Sequence, residues 1–113
     1  MKKENIIKKN YQYTRIFEQI KPQRSKNFLF YLEKTDKKDF SFGFAVSSKK
    51  TTAVTRNFIK RRMKSIVRKY NFKEGFNCII LAKKEVAEVE FNLIEKELEL
   101  FFRKNNLLEE GEK

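Results

Sequence analysis

The residues best placed to do chemistry are cations. Between Ala53 and Tyr70 the chain reads AVTRNFIKRRMKSIVRKY, with seven Lys or Arg and no acidic residue. The seven are Arg56, Lys60, Arg61, Arg62, Lys64, Arg68 and Lys69. Guanidinium groups fork onto phosphate oxygens, whereas ammonium groups act as point charges. A run of this kind neutralises the phosphates of a polyanion and releases its counterions. Asn57, inside the run, can read or bridge where a charge could not.

The spacing of the apolar residues says how these cations are held. Ile59, Met63, Ile66 and Tyr70 recur at i, i+4, i+7 and i+11 and form one stripe of a helix. Asn57, Arg61, Lys64 and Arg68 project to the opposite side, with Lys60, Arg62 and Lys69 on the flanks. The pattern predicts a packed helix that turns a rigid cationic face outward. Thr51 or Thr52 can cap its start. Lys49 and Lys50 extend the charge ahead of it.

The remaining elements read as the scaffold. Residues 1–9 are basic and unpatterned, which predicts a mobile arm. Tyr13, Ile16, Phe17 and Ile20 predict a helix from Asn10 to Ile20, stopped by Pro22. A short extended segment could follow within residues 21–26. FLFYLE (28–33) alternates as a strand, with Phe28, Phe30 and Leu32 on one face and Leu29, Tyr31 and Glu33 on the other. FSFGFAVS (40–47) places Phe40, Phe42, Phe44 and Val46 on a bulky face. Ser41, Gly43, Ala45 and Ser47 make a nearly bare one. The bare face lies either under a packed helix or open as a shallow trough. A hairpin of these two strands would line that trough with Leu29 and Tyr31. FNCIILA (76–82) is almost wholly apolar, which predicts a central strand. A last helix is expected from about Glu88 to Asn105, followed by a tail over 107–113.

This order predicts one α/β (α+β) domain over 1–113, a two-layer sandwich with a small mixed sheet and a strand–basic helix–strand crossover. A parallel crossover is right-handed by default.

Composition narrows the function. The net charge of +12 points to a polyanionic partner. The charge is also unevenly placed. Residues 1–84 hold 23 Lys and Arg against 6 Asp and Glu, whereas 85–113 hold 4 against 9. No apolar run reaches the roughly 18 residues that would span a membrane, and the first ten residues lack a signal-peptide stretch. The reading is therefore cytoplasmic, with no membrane partner. There is no histidine and one cysteine, Cys78, in the apolar run CIILA. These counts exclude an internal disulfide, argue against a protein-held metal and leave no candidate catalytic residue. Cys78 reads as a buried filler. A general RNA-binding or ribosome-associated module is one reading of the charge. A DNA-binding helix-turn-helix is not expected, because the basic helix is flanked by strands.

The segment FGFAVSSKKTTAVTRNFIKRRMKSIVRKY resembles the signature of the bacterial ribonuclease P protein subunit. Val46, Ser47, Lys49, Ala53, Val54, Arg56, Asn57, Lys60 and Arg61 stand at matching places, and the likeness extends over roughly residues 6–106. Three positions depart from the pattern. Phe58 stands where the family has an arginine, Thr51 for the turn glycine and Ser48 for a lysine. Phe58 either stacks on a base or is covered by the arm.

The resemblance implies a protein that assists a catalytic RNA in Mg²⁺-dependent removal of the 5′ leader from precursor tRNA, the RNA supplying the active site and holding most of the metal. It implies that Lys49, Lys50, Arg56, Asn57, Lys60, Arg61, Lys64 and Arg68 face the catalytic RNA. By the same resemblance, Tyr13, Phe17, Leu29, Tyr31 and Ala45 line a cleft for the leader, with Lys60 near its edge. Aromatic faces there would stack unpaired bases at about 1–3 kcal/mol each, whatever the base. The family crossover is left-handed, against the default.

Overall fold

A computed structural model describes residues 2, 5–47 and 50–109. The elements are α1 (Asn10–Gln19), β1 (Gln23–Arg24), β2 (Phe28–Lys34), β3 (Phe40–Val46), α2 (Ala53–Val67), β4 (Phe76–Ala82) and α3 (Phe91–Lys104). A 3₁₀ turn, Lys84–Glu88, joins β4 to α3. The sheet order is β1-β2-β4-β3. β4 runs antiparallel to β2 and parallel to β3.

This order overturns the expected hairpin. β2 and β3 do not pair, because β4 lies between them. FNCIILA is apolar on both faces and gains most from a position with a strand on each side. The register still puts Tyr31, Ile79 and Gly43 in one row, and Leu29, Leu81 and Ala45 in the next. Tyr31 and Gly43 thus share a face but stand two strand spacings, about 10 Å, apart.

The bulky face carries the main core. Phe28, Phe30, Phe42 and Phe76 are at most 1% exposed and pack against Ile59, Met63 and Ile66 of α2 and Leu98 and Phe102 of α3. Each large side chain buried there contributes roughly 1.5–3 kcal/mol. Phe30 stacks on Phe101 with centroids 3.8 Å apart. Cys78 is fully buried, and burial pushes its thiol pKa up. On the other face α1 covers the sheet through Ile16, which packs with Ile7 and Ile79.

The arm expected to be mobile and the start of the tail are both docked. In the arm, Asn5 and Ile7 are 3% and 5% exposed, and Ile6 forms a parallel bridge with Phe42. In the tail, Leu107 is buried, Leu108 bridges antiparallel to Phe72, and Lys73 N–H donates to Leu107 O at 2.8 Å. Met1, Lys3, Glu4 and residues 110–113 lie outside the described residues.

Helix ends shift by small, explicable amounts. α1 starts with Lys9, not Asn10, at its N-cap position and without a side-chain capping bond, and it stops at Gln19, since Ile20 is already extended ahead of Pro22. α3 begins at Phe91, not Glu88. Val89 is extended, and the Val86 and Val89 carbonyls are taken by Arg62.

Candidate nucleic-acid interface

Helix α2 holds the cations as its periodicity predicts. The Thr52 hydroxyl accepts from Thr55 N–H at 3.1 Å and caps the start. Ile59, Met63, Ile66 and Val67 are buried, anchoring the stripe. Asn57, Arg61 and Arg68 are exposed, and Arg56, Lys60 and Lys64 partly so. Lys50 is exposed ahead of the helix, beside a groove of about 460 Å³ that Lys84, Glu85 and Glu88 also line. Lys49 lies outside the described residues.

The flanking cations are spent differently. Arg62 Nη1 donates to Val86 O at 2.8 Å and Val89 O at 2.7 Å. Its guanidinium carbon lies 5.0 Å from the Phe58 ring centroid and 5.7 Å from that of Phe91. Lys69 pairs with Glu95 at 2.8 Å. Phe58 remains 39% exposed and carries Arg62 against its ring, while the described part of the arm docks on β3.

A second concave surface opens between α1, the arm and β3. It encloses about 370 Å³ and is lined by Tyr13 and Phe17 of α1, Phe44 and Ala45 of β3, and Lys60 of α2. Ile7, Lys8 and Asn10 complete it. Among the described residues, no acidic one lines it. The bare strand face is therefore both things the sequence allowed. Helix α1 lies over it at Gly43, where an added Cβ would stand 3.0 Å from the Tyr13 ring and hydroxyl. Beside Ala45 it stays open.

Tyr13 fixes the geometry of this cleft. Its hydroxyl donates to Ile7 O at 3.0 Å and accepts from Phe44 N–H at 3.1 Å. Burial raises its pKa, against the opposing effect of the Phe44 N–H. Phe17 packs edge-on against Tyr31 with centroids 4.8 Å apart. Tyr31 thus backs the cleft wall without lining it, and Leu29, two strands from Ala45, does not line it either. At the far end of this face Arg15 forks onto Glu33 at 2.6 and 3.0 Å, and Asn77 donates to the same carboxylate at 2.9 Å. Arg15, the largest influence, holds the Glu33 carboxyl below its ordinary pKa.

Of the residues singled out in the sequence, the structure joins Tyr13, Phe17, Ala45 and Lys60 in one cleft. The missed wall is Ile7 and Lys8, in what the sequence read as an unpatterned arm, together with Asn10 at the start of α1. The arm's signal was the apolar pair Ile6–Ile7 between polar neighbours. Among the described residues, no helix is long and apolar enough to cross a membrane.

The sequence model of a family described as Ribonuclease P matches residues 1–106. The "Ribonuclease P protein component" of Bacillus cereus (strain B4264) is 32% identical over 110 residues, covering 95% of this chain and 96% of that protein. The protein of the same description from Mesoplasma florum is 33% identical over 101 residues, covering 87% and 92%. Among solved structures, the Staphylococcus aureus RNase P protein superimposes with a TM-score of 0.76 at 25% identity, covering 93% of this chain and 98% of that one. The Thermotoga maritima RNase P protein, at 23% identity, shares the fold with a TM-score of 0.70, covering 81% and 89%.

Proposed function

Because the chain belongs to the Ribonuclease P family, we propose that it acts in a ribonucleoprotein endoribonuclease that removes the 5′ leader of precursor tRNA. The exposed face of α2 (Asn57, Arg61, Lys64 and Arg68, with Lys50 and Arg56 at its start) docks on the catalytic RNA, joined by Lys49, which precedes Lys50 in the sequence. The cleft holds the unpaired leader, its bases against Tyr13 and Phe17 and its phosphates near Lys60. Tyr31 supports Phe17 from behind, and Ala45 leaves the floor low enough for a base. The reading places the protein in the cytoplasm with its RNA partners.

One observation carries the reading: Lys60 belongs both to the basic helix and to the lining of an aromatic cleft that no acidic residue lines among the described residues. Stacking tolerates any base, which suits leaders of varied sequence. Hydrolysis is assigned to the RNA, as is its Mg²⁺. Among the described residues no three His, Cys, Asp or Glu converge on a cation site. The protein's own part is to position the leader and to offset phosphate charge.

Reconstitution tests this directly. Added to a cognate ribonuclease P RNA at low Mg²⁺, the protein is expected to rescue precursor cleavage. Phe17→Ala should weaken binding of precursor tRNA and spare mature tRNA, while Arg61→Ala should weaken binding to the catalytic RNA. Absence of rescue would favour a general RNA-binding module, and equal effects on precursor and mature tRNA would defeat the division of roles.

A further inference from the structure

Strand β3 is a sheet edge, with β4 on one side only. An open edge presents unpaired N–H and C=O groups. Here the arm takes them up. Ile7 N–H donates to Phe42 O at 2.8 Å, and the Tyr13 hydroxyl bridges Phe44 N–H to Ile7 O. One residue earlier than the bridge, Asn5 is buried with its amide fully used. Its Nδ2 donates to Asp39 Oδ1 at 2.8 Å and Phe40 O at 2.7 Å, and its Oδ1 accepts from Lys2 N–H at 2.8 Å. A side chain that anchors to a loop 34 residues away, at this burial, fixes where the following residues run.

Those following residues are the outer wall of the cleft. Lys8 is exposed and lines it together with Lys60 of α2. Two lysines, aromatic rings and, among the described residues, no carboxylate make a surface for a single strand, whose phosphates need cations along the track of its stacked bases.

We propose that Lys8 is a further leader-contact residue and that Asn5 is its positioning residue, latching segment 5–8 to β3 so that Lys8 takes a leader phosphate alongside Lys60. This rests on the leader-binding reading above.

The test uses the protein assembled with its catalytic RNA and measures Kd for precursor and mature tRNA across a salt series. Lys8→Ala alters an exposed side chain and should leave the fold intact. Precursor affinity is expected to fall about two- to fivefold, as for one exposed charge pair. The magnitude of the salt slope should drop by about 0.7, one single-strand phosphate contact. Mature tRNA should bind as before. Asn5→Ala is expected to weaken precursor binding in the same way, and adding Lys8→Ala to it should cost little more, since both act through one contact. An unchanged precursor-to-mature ratio and salt slope in Lys8→Ala would overturn the inference even if Asn5→Ala proved too unstable to assay, and so would simple addition of the two losses. Equal binding of precursor and mature tRNA by the unaltered complex would instead defeat the leader reading itself.

Discussion

Truncating Arg62 separates a cation that holds the fold from the cations proposed to meet RNA. In Arg62→Ala the Val86 and Val89 carbonyls lose a charged donor at 2.8 and 2.7 Å, and the Phe58 and Phe91 rings lose a guanidinium. A hydrogen bond from a charged group is worth about 1.5–3 kcal/mol. A partly exposed cation–π contact adds about 0.5–1 kcal/mol. Water reaching the freed carbonyls returns part of this, which leaves a loss of roughly 2–4 kcal/mol. At about 2.1 cal/mol/K of unfolding entropy per residue, a chain of this length loses roughly 4 °C of Tm per kcal/mol, so Tm should fall by about 8–16 °C. Arg62→Lys should recover part of the loss, since an ammonium can donate to both carbonyls but offers no flat face to a ring. The assays are thermal melting of the free protein and catalytic-RNA binding across a salt series at a temperature where the variant is folded. The salt slope should be unchanged, because Arg62 is not committed to phosphate. Arg61→Ala should do the reverse, leaving Tm in place and flattening the slope by about 0.9. A flatter slope with unchanged melting in Arg62→Ala would refute the assignment.

Three further outcomes follow from the same geometry. In Gly43→Ala the new Cβ stands 3.0 Å from the Tyr13 ring and hydroxyl. Displacing Tyr13 strains its bonds to Ile7 and Phe44 at a net cost of about 1–2 kcal/mol; a Tm above that of the unaltered protein would count against it. Glu33 has a folded pKa below its ordinary 4.5, chiefly through Arg15. Its contribution to stability is therefore complete above pH 4.5 and lost as pH falls through the folded value. Melting of Glu33→Gln should accordingly respond less to acid than melting of the unaltered protein. Phe58→Arg removes a ring from beneath Arg62 and sets like charges four residues apart, at a cost of about 0.5–1.5 kcal/mol. It should also steepen the salt slope of RNA binding by about 0.9 if the new cation meets a phosphate.

What the sequence made legible is what is decided locally. Alternation fixed the faces of β2 and β3, the 3.6-residue period fixed which side of α2 is buried, and near-continuous apolarity marked β4 as central. The order of the strands was not legible, because pairing of β3 with β4 across α2 is a long-range choice that adjacent strand patterns do not encode. The docking of Asn5–Ile7 was hidden for the same reason. It rests on one isolated bridge and one amide whose partners, Asp39 and Phe40, lie more than thirty residues away. Leu29 shows the limit within the candidate site itself: its face was read correctly, yet β4 separates it from the cleft. Arg61 and Arg62 mark the finest division. Adjacent cations are indistinguishable as charges, but a rotation of about 100° sends one to solvent and the other onto the carbonyls at the end of a 3₁₀ turn.

If the cleft holds the leader as proposed, the arrangement around α2 sets how that leader is measured out. One side of the helix is buried in the core, the Arg62 flank is locked to residues 86–89, and Lys60 opens into the cleft. Arg61 and Arg68 leave from the remaining side. These surfaces share one rigid helix, not a loop, and a helix rises 1.5 Å per residue with little play. If the exposed side docks on the catalytic RNA, the distance from that RNA to the leader cleft is set by the helix and by the packing of Ile59 and Met63 beneath it. Loosening that packing should then blur the position of the leader relative to the RNA even when every residue touching RNA is intact.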